Sequence, residues 1–144
     1  MPPNETFDGK SLVPLLSVPT VPVSWKDAAF SQYARRVVNE SCAWKGNGIL
    51  TVDRHTFTHM GYTVRTAGWR YTEWVRWNGT ALLPIWSQVV ARELYDHNND
   101  PAEVATFDLG ENENIAGNSS YSGLMDELSQ RLRQQFDEAT LSHF

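Results

Sequence analysis

The stretch HMGYTVRTAGWRYTEWVRW, from His59 to Trp77, decides the fold. Its period is two. Tyr62, Val64 and Thr66 alternate with Thr63 and Arg65, and after a turn at Ala67 and Gly68 the residues Tyr71, Glu73, Val75 and Trp77 alternate with Thr72, Trp74 and Arg76. β-Branched and aromatic side chains fill the run, as a pleated, half-buried surface prefers. Gly68 is expected to supply the positive φ of a tight hairpin turn. The stretch therefore reads as an antiparallel strand pair.

Outward from the hairpin, Asn78-Gly79 breaks the second strand, and Ala81 to Val90 reads as an apolar connection compatible with a helical turn. Ala91 to Tyr95 resumes an extended pattern, ended at Asp100-Pro101 because proline forces the residue before it out of the helical region. Upstream, Phe30 to Tyr33 has the aromatic content of a short strand, and Gly48 to Val52 offers another within an irregular loop from Val37 to Thr58. Pro2, Pro3, Pro14, Pro19 and Pro22 forbid a long helix in residues 1–29. Asp108 to Gly117 is a polar, Gly/Asn-rich linker. Beyond it Leu124, Met125, Leu128, Leu132 and Phe136 form one stripe at helical spacing, with Ser119, Ser120 or Ser122 as the cap. The expected fold class is α+β: a small antiparallel sheet of about four strands packed against a C-terminal amphipathic helix, preceded by a Pro-rich extended segment. Residues 1–29 form that segment and residues 30–144 one unit, with sheet over 30–107, linker over 108–118 and helix over 119–142.

A chain of 144 residues fits one domain, and six Trp, five Tyr and six Phe place it far from the composition of disorder. The formal net charge of -5 argues against nucleic acid or an anionic membrane as partner. No apolar run approaches the roughly 18 residues that span a bilayer. MPPNETFDGK lacks the basic and apolar regions of a secretory signal. Four glycosylation acceptor patterns, at Asn4, Asn39, Asn78 and Asn118, nevertheless point to a secretory-pathway parent, lysosomal or extracellular. An N-terminal truncation would leave that combination. Cys42 is the single cysteine, so no internal disulfide forms; it is a small thiol or the partner of a cysteine elsewhere.

The candidate chemistry is sparse. His55 and His59 lie four apart, a metal-binding spacing on a helix, but the segment is β-branched and abuts a strand, and no further ligand is obvious. DHNND, from Asp96 to Asp100, begins like a calcium loop but continues with Pro101 and Phe107 where glycine and glutamate are needed, which favours a strand-ending turn. No nucleophile elbow or phosphate-binding glycine loop is present. Arg65, Trp74, Arg76 and Trp69 form a candidate sheet face for stacking on a sugar, with core packing as the plainer reading. No catalytic residue and no metal ligand is assigned.

Three stretches carry a resemblance to sulfatases: FDGKSLVPLL at Phe7 to Leu16, SQYARR at Ser31 to Arg36, and MGYTVRTAGWRYTEW followed by ELYDHNNDP. The pattern MGYxxRT…RYTxW with ELYDxxxDP is similar to the C-terminal subdomain of that family, and SQYxR shifts the resemblance toward the iduronate-2-sulfatase group. The resemblance implies a C-terminal fragment of a sulfuric ester hydrolase acting on sulfated glycosaminoglycans. Its nucleophile, a cysteine oxidised to formylglycine, and its calcium would belong to an N-terminal catalytic domain, the expected partner. Cys42 sits in CAWKG, with Trp44 and Gly46 where the family's C-x-P/A-x-R motif needs other residues, so it is not that nucleophile. The resemblance also implies Lys45 as the reader of a uronate carboxylate and Arg35 as a tie between the loop and the neighbouring domain. The alternatives are a stand-alone carbohydrate-binding module that uses the Trp/Arg sheet face, and a structural fragment that associates with a separate catalytic chain.

Overall fold

The computed structural model describes residues 25–36, 52–99 and 111–141, with Val13 and Leu16. The expectations at Lys45, Cys42, Asn4, Asn39, residues 48–51 and residues 100–110, and nearly all of the Pro-rich segment, lie outside the described residues. Four strands form one antiparallel meander in the order β1 (Ala28–Arg35), β2 (His59–Thr66), β3 (Trp69–Asn78), β4 (Leu83–Asp96). A helix, α1 (Ser122–Leu141), crosses one face. The arrangement is α+β.

Antiparallel pairing puts partnered residues on the same face, and the core follows from that rule. Phe30, Val64, Tyr71 and Leu94 share one row, with Ala34, Met60 and Val75 in another. Val64, Tyr71, Val75, Leu94 and, from the helix, Leu132 are fully buried. Leu128 is buried beside them, and Leu124, Met125 and Phe136 pack at the margin, so the apolar stripe of the helix is the one its spacing predicts. Ser119–Tyr121 forms a single 3-10 turn at the helix entry, capped by Asn118, whose side chain accepts from the Ser120 N–H at 3.0 Å. None of the three serines does the capping.

A buried carboxylate locks helix to sheet. Glu73 points into the core face and is fully buried. It accepts hydrogen bonds from the Tyr71 hydroxyl at 2.9 Å, from the Ser129 hydroxyl at 2.9 Å and from the Arg133 guanidinium at 2.9 Å and 3.2 Å, with Arg92 Nε 3.5 Å away. Burial, followed by the Glu73 charge, pushes the Tyr71 pKa up, which keeps its hydroxyl a donor. Each of these groups needs the others, because an unpaired charge at this depth is costly.

Two expectations are corrected. Residues 83–90 are not part of a helical connection but the first half of β4: Leu83, Pro84 and Ile85 pair with Asn78, Trp77 and Arg76, and a register shift around Val75 lets the strand resume at Val89. Pro84 is tolerated because β4 is an edge strand, where the missing N–H leaves no ladder bond unmade. Gly68 does not take a left-handed backbone, and a Cβ there would meet the end of the exposed Asn98 side chain, which can turn aside. The left-handed residue is Leu82, with φ of 56°, in the turn that joins β3 to β4.

Candidate functional site

The face of the sheet turned away from α1 carries most of the remaining polar chemistry. Cross-strand register sorts it into rows: Arg35, His59 and Arg76; Tyr33, Gly61, Trp74 and Ala91; Ser31, Thr63, Thr72 and Glu93; Ala29, Arg65, Arg70 and Tyr95. Trp74 lies over Gly61, where a Cβ would stand 2.8 Å from the ring. The indole N–H donates to Glu93 at 2.7 Å, and the Arg35 guanidinium stacks on the ring at 4.6 Å. Both partners fix the ring in one orientation. Arg65, Trp74 and Arg76 of the expected sugar-stacking face therefore share this face, with Arg65 at the far end of the hairpin from Arg76, but Trp69 is not on it. Trp69 shares parity with Tyr71, packs against Tyr121 at 5.6 Å between ring centroids, and belongs to the helix side.

Charge on this face is uneven. Arg70 pairs with Glu111 and stacks on Tyr95, and Arg65 donates to the Thr66 and Ala67 carbonyls at the hairpin turn. Among the described residues, no carboxylate pairs with Arg35 or Arg76. Those two arginines flank His59 directly across the strands. Like charges placed opposite one another destabilise a sheet. Burial, then repulsion from Arg76, holds the His59 pKa below its ordinary 6.5.

The depressed His59 pKa sets a pH dependence. Between pH 6.5 and the lower folded-state value, the unfolded chain binds the extra proton, so stability falls as pH drops through that window. His59→Gln should flatten this part of the stability curve, measured by urea unfolding from about pH 7.5 to 5. An unchanged slope would remove His59 as its source.

The other candidates are turn and cap residues. His55 Nδ1 meets the Gly79 carbonyl at 2.5 Å, whereas His59 Nδ1 meets the Thr58 hydroxyl at 2.8 Å, so the two imidazoles serve different contacts. Asp96 accepts from the Asn98 N–H at 2.8 Å, a turn that ends β4. His97 is buried, with Nε2 3.5 Å from Glu111. Among the described residues no three His, Cys, Asp or Glu side chains group to hold a metal ion. Asn78 and Asn118 are both exposed, and each spends its side-chain carbonyl oxygen on a local turn.

Sequence reasoning missed Glu73, Glu93, Glu111 and Asn114. Asn114 docks residues 111–118 on the outer edge of β4, accepting from the Leu94 N–H at 3.0 Å and donating to the Arg92 carbonyl at 3.1 Å. One signal was available for Glu73: a carboxylate standing at an apolar-parity position between Tyr71 and Val75 needs a buried cation.

No family model matches the chain. It is 33% identical over 69 residues to the iduronate 2-sulfatase of Mus musculus, a match covering 48% of this chain and 11% of that protein. The likeness supports a sulfatase-like relationship. This chain thus spans only a small part of the length of the curated relative it matches. Among the described residues, no helix is long and apolar enough to cross a membrane.

Proposed function

We propose that the chain is a C-terminal segment of an iduronate-2-sulfatase-like sulfuric ester hydrolase acting on sulfated glycosaminoglycans in a lysosomal or secreted setting. The observation that carries this reading is the 33% identity over 69 residues to an iduronate 2-sulfatase. On this reading the segment gives shape to the rim of a substrate site. A separate catalytic domain supplies the formylglycine nucleophile and the calcium, whose positive charge would stabilise the sulfate oxygens. Lys45 then reads the uronate carboxylate, and Arg35, held against Trp74, orients the strand that precedes Lys45 in the sequence.

The test is reconstitution. The chain alone should not hydrolyse a sulfate ester, and it should co-purify with a calcium-loaded sulfatase catalytic domain and raise that domain's activity on a sulfated uronate substrate. Lys45→Ala should raise KM for that substrate with kcat little changed. Hydrolysis by the isolated chain, or no association at micromolar concentrations, would remove the proposal.

A further inference from the structure

We propose that the row Arg35, His59 and Arg76, with Tyr33 and Trp74 beside it, is a binding site for a short sulfated oligosaccharide. The proposal does not depend on membership of a sulfatase. It starts from an electrostatic cost: three groups able to carry positive charge stand directly opposite one another on adjacent strands, and no carboxylate among the described residues pairs with the two arginines. Neighbouring strands are about 4.8 Å apart, so the row spans roughly 10 Å. An anion laid across it removes the repulsion and gains charge-assisted hydrogen bonds from two guanidinium forks.

The surroundings select the ligand. Arg35 and Arg76 are exposed, and Tyr33 is 41% exposed, so the row is open to solvent. Arg35 is pre-oriented by Trp74, which lowers the entropy lost on binding. The hydroxyls of Tyr33, Ser31 and Thr63 continue the same face, as a sugar's own hydroxyls require. Gly61 and the Arg35 guanidinium already lie against the Trp74 ring, which takes stacking surface away from a nucleobase. β2 and β3 are hydrogen-bonded on both sides, so an added peptide strand would lie along the outer edge of β1, beside Arg35 and not across the row. The net charge of -5 repels a long polyanion outside the row and favours a short one.

His59 gives the site a pH dependence. Arg35 and Arg76 face it from the two flanking strands, and repulsion by Arg76 adds to burial in lowering its pKa. A bound sulfate offsets that repulsion, so His59 takes up a proton with the ligand and affinity rises as pH falls.

Calorimetric titration of the full chain with a sulfated hexasaccharide, its desulfated counterpart and a poly-glutamate peptide tests this. The sulfated sugar should bind at least about tenfold more tightly than either of the others, and several-fold more tightly at about pH 5.5 than at 7.5. Arg76→Gln should weaken binding about tenfold while raising the melting temperature slightly, because the exposed side chain leaves the core untouched and its charge opposes His59. His59→Gln should abolish the pH dependence. Equal binding of sulfated and desulfated sugars would overturn the proposal, as would undiminished affinity in Arg76→Gln. Poly-glutamate binding as tightly as the sulfated sugar would also overturn it and give the face to an acidic protein. No arm uses a catalytic domain, so failed reconstitution leaves this result standing.

Discussion

Glu73→Ala is expected to lower the free energy of unfolding by about 3 kcal/mol, the cost typical of breaking a buried, hydrogen-bonded charge pair. The fully buried carboxylate holds the Tyr71 hydroxyl, the Ser129 hydroxyl and the Arg133 guanidinium at once. Its removal leaves the Tyr71 hydroxyl without its acceptor and opens a void beneath the helix. The arginine share is smaller, because the Arg133 and Arg92 side chains are 32% and 49% exposed and reach water. Glu73→Gln keeps the shape and some hydrogen bonds and should cost less, about 1 to 2 kcal/mol. Urea unfolding followed by far-ultraviolet dichroism reads both values as shifts in midpoint at a constant slope. A Glu73→Ala midpoint equal to that of the natural chain would mean that the carboxylate does not join helix to sheet.

Leu132→Ala should cost a similar amount, about 3 kcal/mol, for a different reason. Leu132 is fully exposed to the core and not at all to water, so truncation removes apolar contacts on every side of the group and leaves a cavity. Leu124, on the same stripe but only half-buried, supplies the control. Leu124→Ala should cost about 1 kcal/mol, since less surface leaves the solvent when that side chain packs. Comparable losses at the two positions would contradict the packing of α1 described here. The two substitutions should add if combined with Glu73→Ala only where the sites share no partners, and the lock at Ser129 and Arg133 brackets Leu132 on the helix.

The hairpin was legible because strict alternation from Tyr62 to Trp77 marks both its strands and its faces. The helix was legible for the analogous reason, its Leu124, Leu128 and Leu132 spacing. The first half of β4 was not. LLPIW, from Leu82 to Trp86, is continuously apolar, so it carries no period, and a proline in it argues against a strand unless the strand is known to lie at an edge. The register shift beside Val75 then resets the alternation within the same element. Trp69 was misplaced although its parity with Tyr71 stood in the sequence. The Arg35, His59, Arg76 row was hidden more deeply. Arg35 and His59 are far apart in the sequence, and only the pairing of β1 with β2 makes them neighbours. Glu73 depends on a partner 60 residues away, a distance that no local pattern reports.

That separation orders the birth of the protein. β2, β3 and β4 are joined by short turns and can assemble once residue 96 is clear of the ribosome, on the microsecond scale of hairpins. Arg133 emerges seconds later, at ordinary translation speed. During that interval the nascent sheet presents a bare apolar surface with an ionisable group at its centre, steadied by Arg92 and the Tyr71 hydroxyl but not yet by the helix, and a chaperone has its natural opportunity there.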